Sequence, residues 1–322
     1  MPCNRKSSGR TMNLNCLILS LLLNMFIPND LEAQNTTPDE FKVEKNPVVL
    51  LHELANLAAD EQMIGNQALA ETVAKMYFSN YLDTLNDSCL FTPANLQFIC
   101  KFPELIRSKD RIFNFFYTYP ELAEEIIGYR RGYSEDLVRY IIQRDEIDAY
   151  LYKNDRVLIK RPNWGYMSRS ISLKYNQGYA NSLIPGSKSN FYRISGNWRK
   201  YACLFEQKIK QYPPIKESNR LGGMFGDSWT INHYAWDIFL HCADRKVLKM
   251  AVKWSDLSIS LCKTELDAVQ YLDTKANLLY KLGNFELAVQ YEERALALNA
   301  TSNEYKSNLE KMRSARPTWP PK

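Results

Sequence analysis

Apolar residues recur with a helical period along most of the chain, and the clearest case lies near its end. In "LDTKANLLY" (272–280), Leu272, Ala276 and Leu279 fall at i, i+4 and i+7, one face of a helix. Gly283 stops that helix, because glycine enters the left-handed cap conformation at little steric cost. Leu287, Ala288, Tyr291, Ala295 and Leu298 then resume the helical spacing. Two amphipathic helices joined by a short Gly-Asn turn make an antiparallel hairpin, and the small residues Ala276, Ala288 and Ala295 allow close approach. No Val/Ile-rich alternating runs compete with this helical reading.

The same frame returns elsewhere. "AADEQMIGNQALA" sets Ala58, Gly65-Asn66 and Leu69-Ala70 at the spacing of Ala276, Gly283-Asn284 and Leu287-Ala288. A third pair, Gly196-Asn197, stands before an aromatic, as Gly283-Asn284 does. In a fourth unit, Ala251, Trp254, Ser258 and Leu261 precede Ala288, Tyr291, Ala295 and Leu298 by 37 residues each. There Asp244-Arg245-Lys246 takes the place of the turn. The spacing is close to the tetratricopeptide period of about 34 residues plus a short insertion. The last unit resembles a tetratricopeptide repeat well, and the other three resemble it in degenerate form. Its departures are Glu292, where a large aromatic is usual, and Ala300, which replaces the terminal proline. The resemblance implies an all-α fold, an irregular helical-hairpin (TPR-like) solenoid.

Between the first two units the chain reads as helical but irregular. Thr92-Pro93 opens one helix, and Phe113, Phe116 and Tyr117 give another a dense aromatic face. Ser134 reads as the cap of a helix with an acidic first turn. Within the basic turn 153–164, Val157–Ile159 suits a very short strand with nothing to pair with it. The longest loop is "PPIKESNRLGGMFGDSW" (213–229), of a length at which loops are often functional or mobile. The expected layout is a leader over 1–33, a linker over 34–45 and an N-terminal helical region with one hairpin over 46–160. Repeats over 161–313 and a proline-rich, disordered tail over 314–322 complete it.

From about Asn80 onward, "SKDRIFNFFYTYPE", "YIIQRDEIDAYLYKN" and "NHYAWDIF" also resemble the helical region behind the thioredoxin domain of some secreted bacterial proteins. Those proteins carry a Cys-x-x-Cys in a preceding domain of about 100 residues. This chain has no such pair, and its residues 46–85 already read as helices. The resemblance therefore implies a helical scaffold and an envelope location, without redox activity.

The N-terminus agrees with that location. Arg5, Lys6 and Arg10 precede the apolar run Leu14–Ile27, and Ala33 stands before Gln34, the pattern of a secretory signal. Leu31 fits the cleavage pattern poorly, which leaves the cleavage position open. The run falls short of the ~20 apolar residues of an ordinary membrane span. The mature protein is expected to be periplasmic or secreted, with no stable membrane span. Five of the seven cysteines lie beyond the leader, an odd number, and scattered buried thiols are the expected use. A helix of about 16 residues would hold Cys242 and Cys262 roughly 24 Å apart, too far for a disulfide. A net charge of +5 is mild and forms no basic stripe, so no nucleic-acid partner is predicted.

Candidate chemistry is sparse. His233 and His241, eight residues apart, would lie about 12 Å apart on a helix, too far to share a metal ion. Asp145, Glu146 and Asp148 read as a solvated cluster at a helix end. "LGGMFG" (221–226) lacks the Lys-Ser/Thr of a phosphate loop. No catalytic residue, metal site or cofactor is predicted. Asp273, Asn277 and Tyr280 form a stripe beside Leu272, Ala276 and Leu279, and Lys281 follows at its rim. The tetratricopeptide resemblance implies that such a stripe lines a concave binding face. Trp236, 37 residues before Asp273, reads as a peptide platform or as core filler. The expected function is a non-catalytic interaction scaffold of the bacterial envelope, binding a peptide or partner protein. The alternative is a helical accessory that docks on a separate redox protein.

Overall fold

Three Gly-Asn pairs build the same turn. Gly65, Gly196 and Gly283 all take the left-handed conformation, at φ 83°, 68° and 88°. In each turn the glycine N–H donates to the third carbonyl back and the asparagine N–H to the fifth. The distances are 3.2 and 2.8 Å at Gly65-Asn66, 3.2 and 2.8 Å at Gly196-Asn197, and 2.9 and 2.9 Å at Gly283-Asn284. This Schellman closure satisfies carbonyls that a helix end leaves without partners. Each asparagine then starts the next helix from nearly one backbone conformation, with φ between −84° and −88° and ψ between 65° and 67°.

The computed structural model describes residues 47–153, 156–222 and 225–320, and the expected leader and linker lie outside them. The chain is predominantly α-helical. Helices α1 (Pro47–Met63) and α2 (Gln67–Asn80) flank the first turn. Shorter helices follow: α3 (Asp87–Leu90), α4 (Pro93–Lys101), α5 (Arg111–Thr118), α6 (Pro120–Ile127) and α7 (Tyr133–Ile142). A π-helical turn over Gln143–Asp148 leads into α8 (Ala149–Leu151). After it come α9 (Trp164–Lys174), α10 (Gln177–Ile194), α11 (Trp198–Gln211), α12 (Asp227–His241) and α13 (Arg245–Ser260). The last three are α14 (Val269–Lys281), α15 (Phe285–Leu298) and α16 (Asn303–Arg313). Among the described residues, no helix is long and apolar enough to cross a membrane.

Several local expectations are corrected. The short strand does have a partner: β1 (Tyr152–Lys153) pairs antiparallel with β2 (Arg156–Val157), Tyr152 opposite Val157. Ser134 does not cap α7; Gly132 precedes the helix, and Ser134 is buried inside it. There its N–H donates to Glu124 Oε1 at 2.9 Å and its hydroxyl to the Pro120 carbonyl at 3.0 Å, tying α7 to α6. The acidic run 145–148 is a clasp, not a solvated cluster. Asp145 accepts the Ser108 N–H at 2.7 Å and the Arg144 guanidinium at 2.8 Å. Glu146 accepts the Tyr175 hydroxyl at 2.8 Å and pairs with Lys174, which holds its carboxyl below the usual range despite burial.

The main core lies between α11, α12, α13 and α14, around Phe205, Phe239 and Trp254, each at most 2% exposed. Helix α14 sits deepest. Every side chain from Tyr271 to Tyr280 is buried, because α12, α13, α15 and α16 all pack on it. The expected two-sided helix is therefore enclosed all round. Ala276 and Ala288 share one buried cluster with Leu279 and Met312, and Ala295 packs with Val269 and Leu272. Leu287 instead turns outward, 43% exposed. Nor does the C-terminal tail follow the expected disorder, since Trp319 packs against both clusters beside α14.

Candidate functional site

Helix α12 places Trp229, Asn232, His233 and Trp236 at i, i+3, i+4 and i+7, one continuous face. Opposite stand Gln270, Asp273 and Thr274, one turn of α14. The first turn of α16 adds Glu304 and Tyr305. These three elements line an open concavity of about 320 Å³.

One wall is aromatic. The His233 ring stacks on Trp229 at 5.0 Å and 8°, and Phe225 meets the same indole edge-on at 5.1 Å. Trp236 packs on Phe239 at 4.8 Å while its remaining surface lines the pocket, so it is core filler and wall at once. The start of α12 is fixed by Asp227, which is 1% exposed. Asp227 accepts the Leu221 N–H at 2.7 Å and the Ser218 hydroxyl, while its own N–H donates to the Ser218 carbonyl at 2.8 Å. The described part of the long loop is thereby tied to the helix beside the pocket.

The other wall is acidic, and it continues inward as a buried carboxyl pair. Asp273 is 5% exposed, and its Oδ1 accepts the side-chain amides of Asn277 at 2.9 Å and Asn308 at 3.0 Å. Behind it lies Glu292 on α15, fully buried. Among the described residues no N–H donates to either Glu292 oxygen, yet Asp273 is its hydrogen-bonding neighbour. Both facts hold if Glu292 keeps its proton and donates it to an ionised Asp273. Burial pushes the Glu292 carboxyl far above its usual range, and the Asp273 charge pushes it further. Burial also raises Asp273, by less, because the amide donors favour its ionised form. In the other Gly-Asn units the position of Glu292, eight residues after the asparagine, is held by Ala74 and Phe205. The buried acid is thus peculiar to the last of these three units.

The residues singled out from the sequence divide into three groups. Trp236 and Asp273 line the pocket together. Asn277 does not reach a surface: it is 0% exposed and holds Asp273 from behind, so it is a positioning residue. Tyr280 and Lys281 lie elsewhere, under the tail. The Tyr280 ring is 6.2 Å from that of Trp319, and Lys281 Nζ donates to the Phe239 carbonyl and sits 5.3 Å from the Trp319 ring. A stripe drawn along one helix could not foresee this, because the cover comes from α16 and the tail. Trp229 is not among the residues singled out from the sequence, and His233 is weighed there only for metal binding, although Trp229, His233 and Trp236 share one aromatic helical face.

Neither histidine stands alone: His241 stacks on Trp198 at 5.6 Å and 15°, as His233 does on Trp229. Among the described residues, no three His, Cys, Asp or Glu side chains are grouped so as to hold a metal ion. No disulfide joins Cys242 to Cys262. In comparisons with known proteins, no family model matches the chain and no curated protein matches it.

Proposed function

We propose that the protein is a non-catalytic interaction scaffold whose hairpins, degenerate tetratricopeptide-like units in an irregular solenoid, receive a peptide or partner protein. The pocket between α12, α14 and α16 is the place of contact. One observation carries this reading: three helices converge on a concavity with indoles on one side and carboxylates on the other. Its volume of about 320 Å³ lies at the small end of the range of about 300–1,000 Å³ typical of ligand sites. That suits a single anchoring side chain better than a large cofactor. Half-buried tryptophans are also the residues that most often carry binding energy at protein interfaces. The basic and apolar pattern before Gln34 supports a periplasmic or secreted setting.

The test uses wild-type and Trp236→Ala proteins as bait in the same cell extract. A peptide or protein retained by the first and lost by the second supports the reading. Equal retention would place the interaction elsewhere and remove the pocket from consideration. A redox protein among the retained species would favour the accessory role over a general scaffold.

A further inference from the structure

The pocket is poor in positive charge in a chain that is positive overall. The chain carries a net charge of +5, yet the lining contains two carboxylates and neither lysine nor arginine. The groups around Asp273 are Asn277, Asn308, Glu292 and Glu304, none of them basic. The protein therefore holds a buried carboxylate on two amide donors and the Glu292 proton, with no cation among these neighbours, at a wall that lines the pocket.

A second observation is independent of the acids. Asn232 lines the same pocket from α12 and is 9% exposed, and among the described residues its Oδ1 accepts no hydrogen bond. A buried acceptor without a donor is costly to leave unsatisfied. A ligand N–H would satisfy it. Asn232 and the two carboxylates thus ask for the same thing, a group rich in N–H donors, and the carboxylates ask that it be positive. The indoles of Trp229 and Trp236 supply an apolar wall for the stem of a long side chain, and their π faces attract a cation.

We infer that this pocket takes the cationic end of a lysine or arginine side chain presented by a peptide. Asp273 and Glu304 act as counter-charges, Asn232 as a neutral acceptor, and the tryptophans as the wall along the stem. The inference rests on the pocket being the binding site proposed above.

Calorimetric titration of the whole protein with three blocked pentapeptides tests it: Ac-Gly-Gly-Arg-Gly-Gly-NH2, its lysine counterpart and its citrulline counterpart. Citrulline keeps the shape of arginine and removes the charge. The arginine and lysine peptides should bind, with the citrulline peptide at least tenfold weaker. Glu304 is exposed, so Glu304→Gln leaves the packing intact. That variant should weaken the arginine peptide by about fivefold, ~1 kcal/mol, and leave the citrulline peptide unchanged. Equal binding of arginine and citrulline peptides, both lost in Trp236→Ala, would overturn the charge inference and leave the peptide pocket standing. Absence of binding by all three, or binding indifferent to Trp236→Ala, would overturn both.

Discussion

Replacing Glu292 by glutamine should stabilise the protein, and the gain should depend on pH. At pH 7 an unfolded chain ionises this carboxyl, whose ordinary pKa is 4.5, whereas the fold keeps it protonated. Holding a proton 2.5 pH units above that value costs about 3.4 kcal/mol, at ~1.36 kcal/mol per unit. Glutamine has no proton to hold, and its amide N–H can donate to Asp273 as the protonated acid does. Allowing for imperfect amide geometry, Glu292→Gln should gain about 2–3 kcal/mol at pH 7. At pH 4.5 the same penalty falls to about 0.4 kcal/mol, and the two proteins should nearly coincide. The direction follows from proton counting. Both Glu292 and Asp273 are raised in the fold, so the native state binds more protons than the unfolded one. Their contribution is complete at low pH and is lost as pH rises. For a domain of this size about 2 °C accompanies each kcal/mol, so scanning calorimetry should read about 5 °C at pH 7 and under about 1 °C at pH 4.5. A variant that melts at or below the wild type at pH 7, or a gap that persists on acidification, would refute the protonated pair.

Ala288→Leu should lose about 1–3 kcal/mol by overpacking against the cluster of Ala276 and Leu279, whereas Ala297→Leu, at an exposed position, should stay within ~0.5 kcal/mol. Equal tolerance in urea melts would show that α14 and α15 do not meet through these alanines. Trp319→Ala should cost about 1 kcal/mol for a half-buried indole and lower the urea midpoint, and an unchanged midpoint would mean that the tail does not cover Tyr280. Thiol alkylation of the native protein should label exposed Cys89 and Cys203 first and spare buried Cys100 and Cys242. Denaturation without reductant should then expose all five thiols of the described residues, and any missing pair would contradict the cysteine geometry.

The turns were legible in the sequence and the pocket largely was not. A Gly-Asn pair carries its own conformational demand, so Gly65, Gly196 and Gly283 announced three helix ends without help from the rest of the chain. Asn277 does not line the pocket as Asp273 does; it misled because polar residues at i and i+4 look like one solvated stripe on any isolated helix. What meets Asp273 on its inner side is Asn308 and Glu292, which arrive from two later helices. The acidic run at 145–148 misled for the same reason, as its partners Ser108 and Tyr175 lie on other elements. Trp319 shows the converse: the prolines around it suggest disorder, and a single indole with a place to pack overrides them.

The enclosure of α14 has a consequence for time as well as for space. Its amides should exchange with solvent only when the helices packed round it separate, and so report opening of the C-terminal region rather than local fraying. Gln270, Asp273 and Thr274 thus form a wall that is already ordered when a ligand arrives, and little ordering entropy remains to be lost on that side. The opposite is true of Glu304 and Tyr305, which stand on the first turn of α16, where helices loosen most readily. If the pocket receives the proposed side chain, its entry and departure are expected to follow the fluctuation of that one turn. On that proposal, the residence time of a ligand would be set by α16 and its orientation by α14.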